Sequence, residues 1–164
     1  MSLTGFFGGM IESAAELIGG CAAFQSWVDA EDAEAADARI HRLVALGSDT
    51  VWPCVQITYG NGMRYERISS QGFSCRSGGA LMLAFEAVAG DTVESDPAAD
   101  QAAFANAVEG IVSEMMEASD TPGKLQVMAI GPEGPFEAFG VTRPRISGGA
   151  EVVVYRWVWM LRLP

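Results

Sequence analysis

The chain ends in residues 151–163, EVVVYRWVWMLRL, and this stretch decides the fold. Every second side chain is apolar, which gives one continuous face: Val153, Tyr155, Trp157, Trp159, Leu161 and Leu163. The opposite face mixes apolar side chains with Arg156 and Arg162. Alternation of this length predicts a β-strand, and a strand with one large aromatic face belongs centrally in a mostly antiparallel sheet packed against helices.

Other extended runs precede this strand and are bounded by turn residues. Residues 51–59 and 63–73 are joined by Gly60-Asn61-Gly62, and Asn-Gly between β-rich runs is a strong signal for a tight hairpin. The remaining runs of the predicted sheet are residues 80–88, 124–130 and 136–145.

The N-terminal residues 4–46 are helical in character. Apolar residues recur at steps of three and four as far as Gly19-Gly20, and a short second helix is predicted over residues 21–28. Asp29 is expected to cap a third helix that continues to residue 46. Its predicted buried stripe consists of Ala36, Ile40, Leu43 and Val44.

A fourth helix is predicted after an acidic loop. Asp96-Pro97 supplies a capping side chain and a proline at the first helical position, and apolar residues then follow a helical period to about Ala118. The resulting order, ααα-βββ-α-βββ, is typical of an α+β fold. We expect a single domain over residues 1–164, a two-layer sandwich with helices on one face of a mostly antiparallel sheet and a protruding β-hairpin.

The net charge of −11 is unevenly distributed. Residues 1–50 hold 8 acids and 2 bases, and residues 91–123 hold 8 acids and no base. The strand-bearing segments are mildly basic, with 3 bases against 2 acids in residues 51–90 and 5 bases against 3 acids in residues 124–164. This pattern fits a solvated helix surface, and it also predicts an acidic side and an arginine side suited to head-to-tail association.

Few residues are available for catalysis or for cofactor binding. His41 is the one histidine, expected on the surface of the third helix. No nucleophile signature surrounds the cysteines, which are expected to be buried thiols: Cys21, Cys54 and Cys75. The acidic run 29–37 lacks the glycine and the spacing of a calcium loop, and no P-loop is present. We therefore expect no enzyme activity, no cofactor and no metal.

Nucleic acid and membranes are also poor partners for this chain. Both carry negative charge, as the protein does. The N-terminus lacks the basic region of a secretory signal, and no apolar run approaches the roughly 18–20 residues needed to span a bilayer.

Two other functions remain open. A soluble ligand-binding or accessory module would use a pocket between the Trp157 and Trp159 face and the helix that contains Phe104. A small hydrolase would use Glu66 or Glu86, although each of these carboxylates can equally face solvent or an arginine.

Residues 136–145 predict a long protruding β-hairpin that is flanked by prolines. A hairpin of this kind reaches over a neighbouring molecule when its own domain has no face left to cover it. Arginine is the cation favoured at interfaces, and it dominates the strand segments. The predicted oligomer interface therefore consists of Arg64, Arg67, Phe136, Phe139, Arg143 and Arg145.

The order of these features resembles that of the tail-terminator and head–tail joining proteins of long-tailed bacteriophages and prophages. The resembling features cover most of the chain: FQSW at 24–27, ADARI at 36–40, WPCVQI at 52–57, SGGALMLAFE at 77–86, a helix with Phe104 and Ile111, and a closing strand with Trp157.

Such proteins are small α/β domains that assemble into homo-oligomeric rings, commonly hexamers. The rings stop the growth of the tail tube and join the tail to the head. The resemblance implies a structural role with no catalytic residues and no cofactor. It also implies the tail tube and head-completion proteins as partners, and a location in the virion, with the bacterial cytoplasm as the site of assembly.

Overall fold

The computed structural model of the protein describes residues 3–47, 49–69, 72–76, 79–90, 96–134, 137–144 and 151–164. The helices among these residues are α1 Phe6–Gly19, α2 Ala22–Trp27, α3 Ala33–Asp37 and α4 Pro97–Ser119. The strands are β1 Ile40–Arg42, β2 Cys54–Tyr59, β3 Arg64–Ser69, β4 Gly72–Arg76, β5 Ala80–Val88, β6 Ala129–Pro132, β7 Glu137–Pro144 and β8 Glu151–Arg162. The predicted α+β fold is confirmed.

The closing strand β8 is central, as predicted. One of its edges pairs with β5, and the other pairs with both β6 and β7. The sheet continues from β5 to β2 and then to β1, which gives the order β1-β2-β5-β8-β6 with β7 also on β8. These pairs are antiparallel except β1 with β2, so the sheet is mixed but mainly antiparallel.

The helices cover one face of this sheet. Side chains from α1, α2 and α4 meet one face of β2, β5 and β8 in a continuous core: Ile11, Leu17, Ile18, Phe24, Ile57, Leu83, Phe85, Phe104, Val108, Ile111, Met115 and Leu161. One face of the sheet is therefore covered by the chain's own helices.

The apolar face of β8 is buried over most of its length. Tyr155, Trp159 and Leu161 are buried, but Val153 is 46% exposed.

Three of the predicted helices are confirmed with small changes at their ends. α1 ends at Gly19, and α2 begins at Ala22. The side chain of Asp96 caps α4 by accepting from the backbone N–H groups of Ala98 and Ala99 at 3.1 Å. Pro97 occupies the first turn, where its missing N–H costs no hydrogen bond.

The predicted third helix is wrong beyond Asp37. α3 spans only five residues and is capped by Asp32 rather than Asp29. The chain then enters β1, where Ile40 is buried and pairs in parallel with β2. Arg42 fixes this strand to the helical layer, since its Nε donates to Glu12 Oε2 at 2.8 Å. The apolar spacing around Ile40 is equally compatible with a helix, but the segment pairs with β2 and becomes part of the sheet.

The predicted hairpin between residues 51–59 and 63–73 is also wrong. β2 uses its two edges for β1 and β5, so neither edge is open to β3. Gly60 N–H donates to the Ala80 carbonyl at 2.8 Å, and Ala80 N–H donates to the Asn61 carbonyl at 3.1 Å. The Asn-Gly segment is thus the point at which the chain leaves the sheet.

The predicted strand order and the predicted protruding hairpin need correction as well. Among the described residues between α3 and α4 there are five strands rather than three. The run expected to protrude, residues 136–145, contains β7, which pairs with β8 in the main sheet. A two-stranded sheet separate from the main one is formed instead by β3 and β4.

Candidate functional site

The predicted interface residues lie on two different sheets. Arg64 and Arg67 are on β3, whereas Phe139 and Arg143 are on β7. The remaining two predicted residues, Phe136 and Arg145, lie outside the described residues. The structure therefore divides the predicted interface between the separate hairpin and the edge of the main sheet.

β3 and β4 together form what we call the arm. Within the described part of the chain, the arm is a two-stranded sheet of its own. An isolated two-stranded hairpin is marginally stable in water. Its register places Arg64 and Arg76 at opposite positions of the pair.

The helical layer supplies acidic surface. All ten Lys and Arg residues of the chain lie outside the four helices. α4 alone carries Glu109, Glu114 and Glu117 at exposed or half-buried positions. The charge separation predicted from the sequence thus follows the boundary between the helices and the remaining elements.

A groove of about 440 Å³ opens in this helical layer, between α2, α4 and the ends of β5 and β8. Its aromatic walls are Trp27, Phe104 and Tyr155. The ring centroids of Trp27 and Phe104 are 6.2 Å apart, and those of Phe104 and Tyr155 are 5.6 Å apart. The α4 side of the groove is made by small residues: Ala103, Ala107 and Gly110. We call this feature the aromatic groove.

A buried carboxylate lies in the lining of the aromatic groove. Asp100 is only 2% exposed, and its Oδ2 accepts from Gly90 N–H at 2.7 Å. The pKa of the Tyr155 hydroxyl is raised to about 12, first by burial and then by its hydrogen bond to Asp100 and the negative charge of that carboxylate. The groove thus combines aromatic rings with negative charge.

The position of α2 against α4 is fixed by Glu114. The two oxygens of this carboxylate accept from Ala22 N–H and Ala23 N–H, each at 2.8 Å. The Cys21 side chain does not cap the N-terminus of α2. The Glu114 carboxylate on α4 instead accepts hydrogen bonds from the backbone N–H groups at this end of the helix. This link joins two of the helices that line the aromatic groove.

The groove differs from the pocket expected for a ligand-binding module. Phe104 lines it as expected, but the facing walls are Trp27 and Tyr155. Trp157 and Trp159 are not in its lining; their rings contact each other at 4.8 Å, and Trp159 belongs to the core.

Glu86 has a structural environment rather than that of a paired catalytic carboxylate. It is 0% exposed. Arg156 Nη1 donates to its Oε1 at 2.7 Å, and Trp52 Nε1 donates to its Oε2 at 3.2 Å. The other candidate, Glu66, lies on β3 in the arm. The expectation of an arginine partner is confirmed for Glu86.

His41 lies on β1, and its predicted helical position is wrong. Burial lowers its pKa, with smaller opposing effects from Asp49 and Glu86 and a further lowering by Arg39. Among the described residues, no group forms a hydrogen bond with its buried Nε2. The buried environment disfavours the charged imidazolium.

Two of the cysteines are buried as predicted. Cys21 donates from Sγ to the Leu17 carbonyl at 3.2 Å, and Cys54 lies on β2 with no exposed surface. Cys75 lies on β4. Across the described ranges, no cluster of His, Cys, Asp and Glu side chains has the composition to hold a metal ion.

The stability of the protein is expected to fall above about pH 9. Burial, and then the charge of Glu114, raises the pKa of the Cys21 thiol from 9.0 to about 12. The unfolded chain therefore loses this proton at a lower pH than the folded chain. The free energy of unfolding therefore falls as pH rises from about 9 to about 12, by up to about 1.4 kcal/mol per pH unit.

Urea unfolding at a series of alkaline pH values measures this effect. Cys21→Ala should give a shallower decline, and part of the decline should remain, because near pH 10 the unfolded tyrosine loses its proton whereas Tyr155 does not. A free energy of unfolding that rises with pH across this range would contradict the assignment.

None of the helices among the described residues has the length and apolar character to cross a membrane. Comparison of the sequence with models of protein families finds no match. A search of curated proteins finds no relative either.

Proposed function

We propose that this protein is a structural subunit of a bacteriophage or prophage tail, of the tail-terminator or head–tail joining type, which assembles head to tail into a homo-oligomeric ring. The arm carries this proposal. Its two strands pair with each other in a sheet separate from the main one. A neighbouring molecule is the surface that would cover and stabilise such a hairpin.

Charge separation supports a head-to-tail contact. The arm and β7 carry Arg64, Arg67 and Arg143, while the four helices carry no base. A contact between two different surfaces of identical molecules closes into a ring when its rotation is a simple fraction of a turn. The proposed interface retains the six residues predicted from the sequence.

The proposed role is non-catalytic and needs no cofactor. Its partners are further copies of the chain, the tail tube and head-completion proteins, and its location is the virion, with the bacterial cytoplasm during assembly. An acidic helical layer suits a ring through which DNA passes, because like charges keep DNA from adhering.

Light scattering coupled to size exclusion, followed by negative-stain microscopy, tests the proposal. Assembly is expected to strengthen with protein concentration and to weaken at high salt, since screening reduces attraction between exposed charges. The same protein is also incubated with purified tail tubes. A monomer at every concentration and salt, with no binding to the tubes, would refute the proposal.

The aromatic groove favours a second candidate function, a ligand-binding module. Its volume of about 440 Å³ falls within the range of small-molecule sites. A thermal-shift screen separates the two candidates. A small molecule that raises the melting temperature while no assembly forms would favour the module.

A further inference from the structure

We infer that His41 is a proton-operated switch, which on protonation releases the segment between β1 and β2 from the face of the sheet opposite the helices. The structure describes residues 43–47 and 49–53 of this segment, which we call the cover segment. The inference is independent of the proposed function, because it concerns a change within one molecule. It names acid as the trigger and the cover segment as the part that responds.

His41 lies on the face of the sheet that the helices do not cover. Its neighbour Ile40 belongs to the core, and successive strand residues point to opposite faces. The register pairs His41 with Gln56 of β2, so these two side chains share a face. Glu86 of β5 lies on this face as well, because its neighbour Phe85 belongs to the core.

The cover segment is held against this face by side-chain hydrogen bonds near both of its ends. Gln56 Nε2 donates to the Val44 carbonyl, close to the start of the segment. Trp52 Nε1 donates to Glu86 Oε2 at 3.2 Å, close to its end. Both contacts are made with side chains on the same face as His41, so the cover segment lies against the surroundings of the imidazole.

The imidazole of His41 has no partner for its buried nitrogen. Among the described residues, no group forms a hydrogen bond at Nε2, which is shielded from water. The neutral imidazole can carry its one proton on Nδ1, whereas the imidazolium carries an N–H at Nε2 as well. A buried N–H without an acceptor is unfavourable, so protonation favours an arrangement that brings water to Nε2.

Charged groups from several elements act on His41. Asp49 in the cover segment and Glu86 on β5 attract a positive charge on the imidazole, while Arg39 repels it. Arg156 on β8 already donates to Glu86 Oε1 at 2.7 Å, so this carboxylate has a cation of its own. Burial outweighs the two carboxylates, and the pKa of His41 under the cover segment therefore lies below its ordinary value of 6.5.

The direction of the response follows from this lowered pKa. When the cover segment is released, the imidazole is hydrated and titrates near its ordinary value of 6.5. When the segment is in place, the same proton binds only at lower pH. As pH falls below about 6.5, the released arrangement therefore gains population relative to the closed one, by at most about tenfold per pH unit.

Amide hydrogen exchange of the full chain between about pH 7.5 and pH 5.5 tests the inference, with each rate corrected for the intrinsic pH dependence of exchange. The reporting amides are those of Leu43 and Thr50, which donate to backbone carbonyls at 2.9 and 3.2 Å. We expect their protection to fall about threefold or more at the acid end. The amide of Met128, which donates to a carbonyl of β8, should keep its protection. Unchanged protection at Leu43 and Thr50, or an equal fall at Met128, would overturn the inference.

His41→Phe removes the titrating group and keeps an aromatic ring at this position. The fall in protection should disappear in this variant, and because only the change with pH is compared, a different overall stability does not affect the result. His41→Gln, which is also neutral, replaces it if the phenylalanine variant does not fold. A fall of wild-type size in the neutral variant would assign the response to another group.

The pKa of His41 can be read directly by NMR, since the chain has one histidine. We expect a value below 6.5, and a lower one in Asp49→Asn, which loses an attracting carboxylate. Asp120→Asn is the matched control, because it removes an exposed acid at the end of α4 and should leave the value unchanged. A wild-type pKa at or above 6.5, or equal shifts in the two variants, would contradict the placement of His41 under the cover segment.

Discussion

Replacing Arg156 with methionine is expected to lower the free energy of unfolding by about 3–5 kcal/mol. Glu86 is 0% exposed, and the substitution removes the cation that donates to its Oε1 at 2.7 Å. A carboxylate in the interior without its cation loses the attraction that offset its dehydration. Urea unfolding of the wild type and the variant gives the difference directly.

Arg162→Met is the matched control for this prediction. Arg162 is on the same strand, β8, but it is exposed, so its loss should change the free energy by no more than about 0.5 kcal/mol. Adding Glu86→Gln to Arg156→Met should recover part of the loss, because the buried group is then neutral. Similar losses for the two arginine variants would show that the ion pair does not stabilise the sheet.

The second large effect is expected from Phe85→Ala, at about 3–5 kcal/mol. Phe85 is fully buried on β5, between β2 and β8, and its ring contacts Trp27 at 6.1 Å. Removing the ring leaves a cavity between the sheet and α2, and strands paired on both sides cannot easily move to fill it. Thermal and urea unfolding both report the loss.

Phe6→Ala removes the same ring from the first turn of α1. Phe6 is 37% exposed and contacts Phe7 at 5.5 Å, so we expect a loss of about 1 kcal/mol or less. Equal destabilisation by the two variants would mean that the core between β5 and α2 is not packed as described.

These magnitudes also restrict how assembly can be tested. Domains of this size are stable by about 5–15 kcal/mol, so a variant such as Phe85→Ala can lose assembly simply by unfolding. A substitution at Ala107 avoids this difficulty because Ala107 is only half-buried and lies outside the core formed by the described residues. Loss of rings in such a variant, at an unchanged melting temperature, reports on the contact itself.

Local patterns in the sequence predicted most of the elements. The helical periods and their glycine breaks identified α1 and α2, and the Asp96-Pro97 pair identified the start of α4. Strict alternation identified β8 and its central place. Each of these signals lies within one element, so no knowledge of the remaining chain was needed.

The errors occur where tertiary pairing overrides a local signal. The segment with Ile40 has helical spacing, yet the open edge of β2 captures it as a parallel strand. Asn61-Gly62 has the composition of a hairpin turn, yet β2 is already paired on both sides, so the turn leads into the arm. Which edge of a strand is occupied depends on the whole sheet, and no local window contains that information.

The sequence by itself determined the α+β class, the central strand and the excess of acids over bases in the helical segments. These follow from composition and period, which are local properties. Only the tertiary structure decided the aromatic groove, the separate arm and the burial of Glu86. The contacts that make them join residues far apart, as between Glu86 and Arg156, 70 positions apart, or Ala22 and Glu114, 92 apart. Packing selects such partners by shape and charge as the chain folds, and no local stretch of sequence contains that information.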